Sequence, residues 1–143
     1  MNSNAAYLKD AKRIIIKIGS VLLVDQETGR LHRSWLEGLA TDIERCRARG
    51  QEVIIVSSGA IALGRRYLNF KQGDLRLEEK QAAAAAGMVR LTHAYQECFE
   101  THNLSVAQIL LTQDDSENRR RYLNARSTLM TLLDVGAVPL INE

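Results

Sequence analysis

The chain has 143 residues, 45% of them apolar and 25% charged, with a net charge of +2. That length suits one domain with a sizeable core, and so small a charge gives no reason to expect a nucleic-acid partner. No apolar run approaches the ~18 residues that a membrane span needs, and Met1 to Lys12 lack the apolar stretch of a signal peptide. The expectation is therefore a cytoplasmic protein with no membrane partner.

Residues 1–12 read as an N-terminal extension. From Arg13 a β-branched run predicts a strand buried on both faces, ending in Lys17-Ile18-Gly19-Ser20. Buried strands rarely carry a charge, because an ammonium is costly to desolvate unless an anion meets it. Gly19 permits a sharp turn and a close approach of backbone to ligand, and Ser20 adds a hydroxyl and an N–H. A cation and free amides at a strand's carboxyl end suit a phosphate. The plainer reading stands beside it: Lys17 snorkels to solvent and Gly19-Ser20 is only a turn.

Val21 to Val24 continues apolar, and Asp25 to Arg30 is turn chemistry. Ser34 with Glu37 predicts a capping box opening a helix to about Arg49, stopped by Gly50. Glu52 to Ser57 is a second apolar strand. Ser58-Gly59-Ala60 follows, then a helix from Ala60 to about Leu68 and a loop from Asn69 to Arg76. Glu79 to about His102 predicts a long helix, whose alanines between Ala82 and Ala86 imply close packing against a neighbour. Val106 to Leu111 is a third strand, with Thr112 to Ser116 as its polar outlet. A helix from Glu117 to Asp134 places Tyr122, Ala125, Leu129, Leu132 and Leu133 on one face. After Gly136, Ala137 to Ile141 is a fourth strand, reaching Asn142-Glu143.

The arginine clusters at Arg45, Arg47, Arg49 and Arg119 to Arg121 lack interleaved aromatics and read as solvated helix faces. Cys46 and Cys98 continue apolar helical spacings and read as small core residues. His32, His93 and His102 form no ligand spacing with them, so no protein-held metal is expected.

Strand and helix alternate, with connections too long for hairpins. That predicts an α/β fold: a three-layer αβα sandwich around a mainly parallel sheet, with no linker, repeat or second domain within these residues. Ligands in such sheets bind beyond the carboxyl ends of the strands, and here every such end is polar. GxGxxG and GxxxxGK[ST] are both absent, which argues against the usual dinucleotide fold and against a P-loop. Ser57-Ser58-Gly59-Ala60 offers hydroxyls and helix N-terminal amides, an arrangement that binds anions; equally, one serine serves only as a cap. The sequence around it is not GxSxG, and no histidine completes a triad. Asp114, Asp115 and Glu117 cap the next helix or, in a sharper reading, hold an amino-acid ammonium. Asn124-Ala125-Arg126 braces the Asp115 loop or makes surface contacts. Asn142-Glu143 is a ligand edge or a brace behind one.

Taken in order, Lys17 to Ser20, Val56 to Gly64, Gln81 to Gly87, Gln108 to Thr112, Tyr122 to Arg126 and Val138 to Glu143 make the combination specific. The chain from about Arg13 resembles the N-terminal part of the glutamate-phosphorylating branch of the amino-acid kinase superfamily. The resemblance implies ATP-dependent phosphorylation of the γ-carboxylate of L-glutamate to glutamyl 5-phosphate, the first step of proline biosynthesis. It implies an αβα sandwich, Mg²⁺ brought with ATP, and a homo-oligomer. Lys17 would be the catalytic, phosphate-contacting residue, with Gly19 and Ser20 beneath the transferring phosphate. Ser58 would contact glutamate in a turn shared with Ser57, Gly59 and Ala60. Asp115 and Asn142 are candidates for a substrate or effector loop. Residues 13–143 would then be the glutamate-binding part of the domain, leaving the fold incomplete, with the ATP-binding half and any C-terminal domain outside these residues. The alternatives are another member of the superfamily with a different acceptor, or a non-catalytic anion-binding module.

Overall fold

The computed structural model describes residues 3–112, 115 and 117–142. Four strands, β1 (Arg13–Ile18), β2 (Glu52–Ser57), β3 (Val106–Ile109) and β4 (Val138–Asn142), lie in the order β1-β2-β4-β3. Every pairing is parallel. Helices connect and flank them: α1 (Ser3–Asp10), α2 (Ser20–Leu23), α3 (Arg33–Ala48), α4 (Ala60–Tyr67), α5 (Leu77–Glu100) and α6 (Arg119–Asp134). The α/β class and the parallel sheet are as the alternating pattern predicts.

Register decides which residues meet which helix layer. The last row of the sheet aligns Ile18, Ser57 and Asn142, and two residues back Ile16, Ile55, Leu140 and Gln108 align. Side chains alternate along a strand, so these residues share one face. Tyr95 and Thr92 of α5 hydrogen-bond Ser57 and Gln108 on it. Here lies the main core: Ile18, Leu36, Ile43, Val53, Ile55, Leu91, Tyr95, Phe99, Val138 and Leu140 are all buried. Tyr95 meets Phe99 edge-on, ring centroids 5.7 Å apart, a favourable aromatic geometry. The opposite face carries Arg13, Ile15, Lys17, Val56, Ile141 and Ile109 in register. There α6 lies over the sheet, and Met130 Sδ accepts from Arg13.

Four local expectations are corrected. β1 is not buried on both faces: only Ile18 is buried, and Ile15 is 64% exposed, because β1 is an edge strand of the described sheet, where the last helix meets Arg13 but leaves Ile15 open. α3 begins at Arg33 without the Ser34–Glu37 box; His32 is its N-cap and makes no side-chain cap bond. The capping box forms instead at α5, where the Glu79 carboxylate accepts from the Arg76 N–H at 2.8 Å, so that helix starts two residues earlier than its spacing suggests. α6 begins at Arg119, capped by Asn118, whose side chain accepts from the backbone N–H groups of Arg120 and Arg121. The apolar stretch from Val21 to Val24 forms the short α2 and its C-cap, burying Leu23.

The alanine-rich part of α5 packs as predicted. A Cβ built on Gly64 would overlap the carbonyl oxygen of Ala83, and one on Gly87 would overlap that of Ala60. α4 and α5 therefore touch backbone to backbone through Ala60, Gly64, Ala83 and Gly87. Ala60 also ends the turn after β2, so this contact fixes where that turn sits.

Candidate functional site

The carboxyl ends of β1 and β2 lie side by side, and their turns are bonded together. The Ser58 N–H donates to the carbonyl of Ile18 at 3.0 Å, and Ser58 Oγ donates to the same oxygen at 3.2 Å. Gly59 has φ = +111°, a conformation that L side chains rarely adopt. The space beside it is set by Ser20: a Cβ at Gly59 would lie 3.7 Å from the Ser20 Cα. Gly19-Ser20 and Ser58-Gly59-Ala60 thus form one continuous rim.

The residues predicted at these two strand ends lie on this rim or just beneath it. Lys17 is exposed near the end of β1, one residue before buried Ile18. Gly19 is exposed and Ser20 half-buried. Ser58 is half-buried at the rim, while Ser57 is fully buried beneath it. Ser57 Oγ accepts from Tyr95 Oη at 2.9 Å and donates to the Ser58 carbonyl at 3.1 Å. Ser57 is therefore spent within the protein, shaping the turn, and Ser58 is the serine that reaches the rim. The first backbone bond of α4 runs from Leu63 N to the Gly59 carbonyl. The N–H groups of Ala60, Ile61 and Ala62 precede that ladder, and such amides favour an anion.

Asn142 aligns with Ser57 across the sheet. Its Oδ1 is buried and has no hydrogen-bond partner among the described residues, which leaves an acceptor at the rim in need of a donor. Asp115 lies elsewhere. Its Oδ2 accepts from the Thr112 N–H at 2.7 Å and from Thr112 Oγ at 2.9 Å; these bonds hold the carboxyl below its ordinary pKa. It lines a cavity of about 400 Å³ between the sheet and α6, with Arg13, Tyr122, Ala125 and Arg126. The structure thus brings Ala125 and Arg126 to Asp115, but places none of them with Ser58. Gln113, Asp114, Ser116 and Glu143 lie outside the described residues. Among the described residues no group of three His, Cys, Asp or Glu side chains is arranged to hold a metal, and no helix is long and apolar enough to cross a membrane.

Sequence reasoning missed Tyr95 as a site residue. It occupies an apolar position in the α5 periodicity, and nothing in that spacing marks its hydroxyl as a partner for the turn. Burial pushes its phenol up to about 12, against a smaller lowering from Ser57.

A lysine, two glycine turns and helix N-terminal amides at the carboxyl rim of a parallel sheet are an arrangement whose chemistry suits small anionic groups. Residues 12–143 match the model of the amino acid kinase family, and the chain belongs to that family. It is 66% identical over 136 residues to a glutamate 5-kinase of Paramagnetospirillum magneticum, covering 95% of this chain and 36% of that protein. It is 61% identical over 129 residues to a glutamate 5-kinase of Rhodospirillum rubrum (90% and 34% covered). With one of Cereibacter sphaeroides the identity is 52% over all 143 residues, 38% of that protein. The chain spans about a third of the length of the curated relatives it matches. Among solved structures, an isopentenyl phosphate kinase superposes with a TM-score of 0.61 over 91% of this chain and 56% of that one, at 13% identity, a likeness of fold.

Proposed function

We propose that this chain provides the amino-acid-binding edge of a kinase that transfers the γ-phosphoryl group of ATP to the γ-carboxylate of L-glutamate, giving glutamyl 5-phosphate for proline synthesis. The observation that carries the reading is the bonded rim, Ser58 to Ile18 and Gly59 against Ser20, in a chain 52–66% identical to glutamate 5-kinases.

The chemistry suits these residues. A glutamate side chain has a pKa of about 4.3 and is already ionised at neutral pH, so the reaction needs no general base. It needs two anions held close with their repulsion offset. Lys17 brings a cation and the Gly19-Ser20 turn brings N–H donors to the phosphate side. On the amino-acid side, Ser58 commits its hydrogen to Ile18, so its Oγ offers lone pairs, which suit an ammonium. The orphaned Asn142 Oδ1 would accept from the same ammonium. The free α4 amides suit a carboxylate. Ser57 and Ala60 hold the turn in shape, and Asp115 belongs to a neighbouring loop. Mg²⁺ would arrive with ATP, bound chiefly by its phosphates. Residues 13–143 would form the glutamate-binding part of a larger kinase domain, preceded by the segment 1–12, in a cytoplasmic homo-oligomer. The nucleotide would be held chiefly by the part of the relatives' length that this chain does not span.

The test is an assay of the complete gene product with ATP, Mg²⁺ and L-glutamate, trapping acyl phosphate as the hydroxamate. Hydroxamate that depends on all three is expected, and Lys17→Ala should lower turnover by at least about a hundredfold with little change in melting temperature. Absence of product with glutamate, alongside product with N-acetylglutamate or aspartate, would reassign the acceptor.

A further inference from the structure

One cluster of charge is left unused by the rim. Arg30, Arg33, Arg66 and Arg90 line a cleft of about 480 Å³ together with Thr28, Gly29, Leu31, Leu63 and Tyr67. They come from four places: the turn before α3, the first residue of α3, the end of α4 and the exposed side of α5. Acid compensation is slight. Glu97 takes Arg33 at 2.9 Å and is shared with His93 at 2.6 Å. Arg90 lies over the Tyr67 ring, its Cζ 4.7 Å from the centroid, which holds the guanidinium plane without neutralising it. Arg30 and Arg66 have no side-chain hydrogen bond or ion pair among the described residues. Of the two acids in the adjoining turn, Asp25 accepts from the N–H groups of Glu27 and Thr28, and Glu27 lies on the neighbouring cavity rather than in this cleft.

Three guanidinium groups without a carboxylate around one concavity repel each other, and a multiply charged anion relieves that repulsion. The planar fork of arginine fits phosphate oxygens two at a time. We propose that this cleft binds an oligophosphate group, inorganic or carried by a nucleotide, at a site distinct from the rim. Arg30 and Arg66 would grip the phosphates with Arg90 beside them, and Tyr67, 58% exposed, with Leu31 would offer an apolar wall to whatever the phosphates carry. The site is linked to the rim by its framework. The stem of Arg66 lies against Gly29, where a Cβ would come within 2.6 Å of it. That contact divides the cleft from a second cavity lined by Ser20, Asp25 and Ile61. Occupation of the cleft therefore bears on the two segments, Ser20 to Leu31 and α4, that start at the rim.

The experiment is calorimetric titration of this chain with pyrophosphate at fixed ionic strength, repeated with tripolyphosphate and with ATP. Saturable binding is expected for the chain and equally for Lys17→Ala, which disables the rim's cation. Arg30→Gln combined with Arg66→Gln should weaken it by about tenfold or more. The Lys pair at the same positions keeps the charge, guards against a folding defect and should lose affinity only in part. Arg45→Gln removes the same charge from the exposed side of α3, paired there with Asp42, and should change affinity by less than about twofold. Tighter binding of ATP than of tripolyphosphate would assign the apolar wall to a nucleoside; equal binding would assign the site to the phosphates alone. The proposal is overturned by absence of saturable binding, by loss on Lys17→Ala with the arginine pair without effect, or by an equal fall for Arg45→Gln.

Discussion

Tyr95 Oη donates to Ser57 Oγ at 2.9 Å, and Ser57 Oγ donates to the carbonyl of Ser58 at 3.1 Å. A residue in the last two turns of α5 thereby reaches through the core to the turn at the end of β2. Tyr95→Phe keeps the ring, its edge contact with Phe99 and nearly all its volume, but leaves a buried serine without its donor. A net loss of about 1–2 kcal/mol is expected, read by denaturant unfolding. Because the turn it holds carries Ser58, the KM for glutamate in the complete gene product should rise more than kcat falls. A fall in kcat alone would place Tyr95 outside substrate positioning.

The same phenol makes the fold sensitive to alkali. In the unfolded chain it ionises near 10, and in the fold burial pushes it up to about 12. Below pH 10 both states keep the proton, and its contribution is fully present. Between pH 10 and 12 only the unfolded state ionises, so stability falls as pH rises, by roughly 2–3 kcal/mol in all. Cys98, whose thiol burial raises to about 11 with the nearby Glu37 carboxylate adding to it, contributes in the same sense from about pH 9. Unfolding free energies measured from pH 8 to 11.5 should show this decline in the native protein. Tyr95→Phe should lose the part above pH 10 and keep the part due to Cys98.

That thiol also separates the two cysteines. Cys98 is 1% exposed, and Cys46 is half-buried at the edge of the core. The reactive species is the thiolate, so Cys98 is protected by both access and protonation. A disulfide reagent at pH 8 should titrate one thiol quickly and the second only at the rate of unfolding. Cys46→Ala should remove the fast phase; persistence of that phase would place the accessible thiol on Cys98.

How far the chain could be read in advance depends on the range of the interaction. Strand and helix alternation follows from local periodicity, so the parallel α/β sheet and the glycine turns at its rim were visible in Ile14 to Ser20 and Val53 to Ala60. So was the close packing of the alanine-rich helix, since small residues at that density have few other uses. Strand order was not visible: an apolar run does not say whether it is central, and β1 lies at an edge with Ile15 exposed. Caps were misplaced because a side-chain spacing does not fix where a helix begins: α3 starts at Arg33, which puts Ser34 inside it, and the box closes instead at α5 through Arg76 and Glu79. The Tyr95–Ser57 bond spans 38 residues of sequence and joins two positions that patterning marks only as apolar and polar. The Thr112–Asp115 ring is local, yet the same three-residue spacing suits a helix cap, and only coordinates distinguish the two.

Three glycines give a matched test of the α4–α5 contact. Gly64 and Gly87 face backbone, and a methyl on either would overlap a carbonyl oxygen of the opposite helix. Neither the Ala83 nor the Ala60 carbonyl can swing aside like a side chain, so the helices must separate. Gly64→Ala and Gly87→Ala are each expected to cost about 2–4 kcal/mol. Gly38 sits inside α3 with nothing within 4 Å of a Cβ. There alanine only lowers the entropy of the unfolded chain and improves helix propensity, so Gly38→Ala should stabilise by about 0.5–1 kcal/mol. The two contact variants should differ in one respect. Gly87 presses on Ala60 itself, the last residue of the rim turn, and Gly64 presses on Ala83, away from it. At a temperature where both variants remain folded, Gly87→Ala should therefore weaken glutamate binding in the complete gene product more than Gly64→Ala, read as the ratio of their KM values. Equal KM values at unequal stabilities would show that the contact supports the fold without setting the position of the turn.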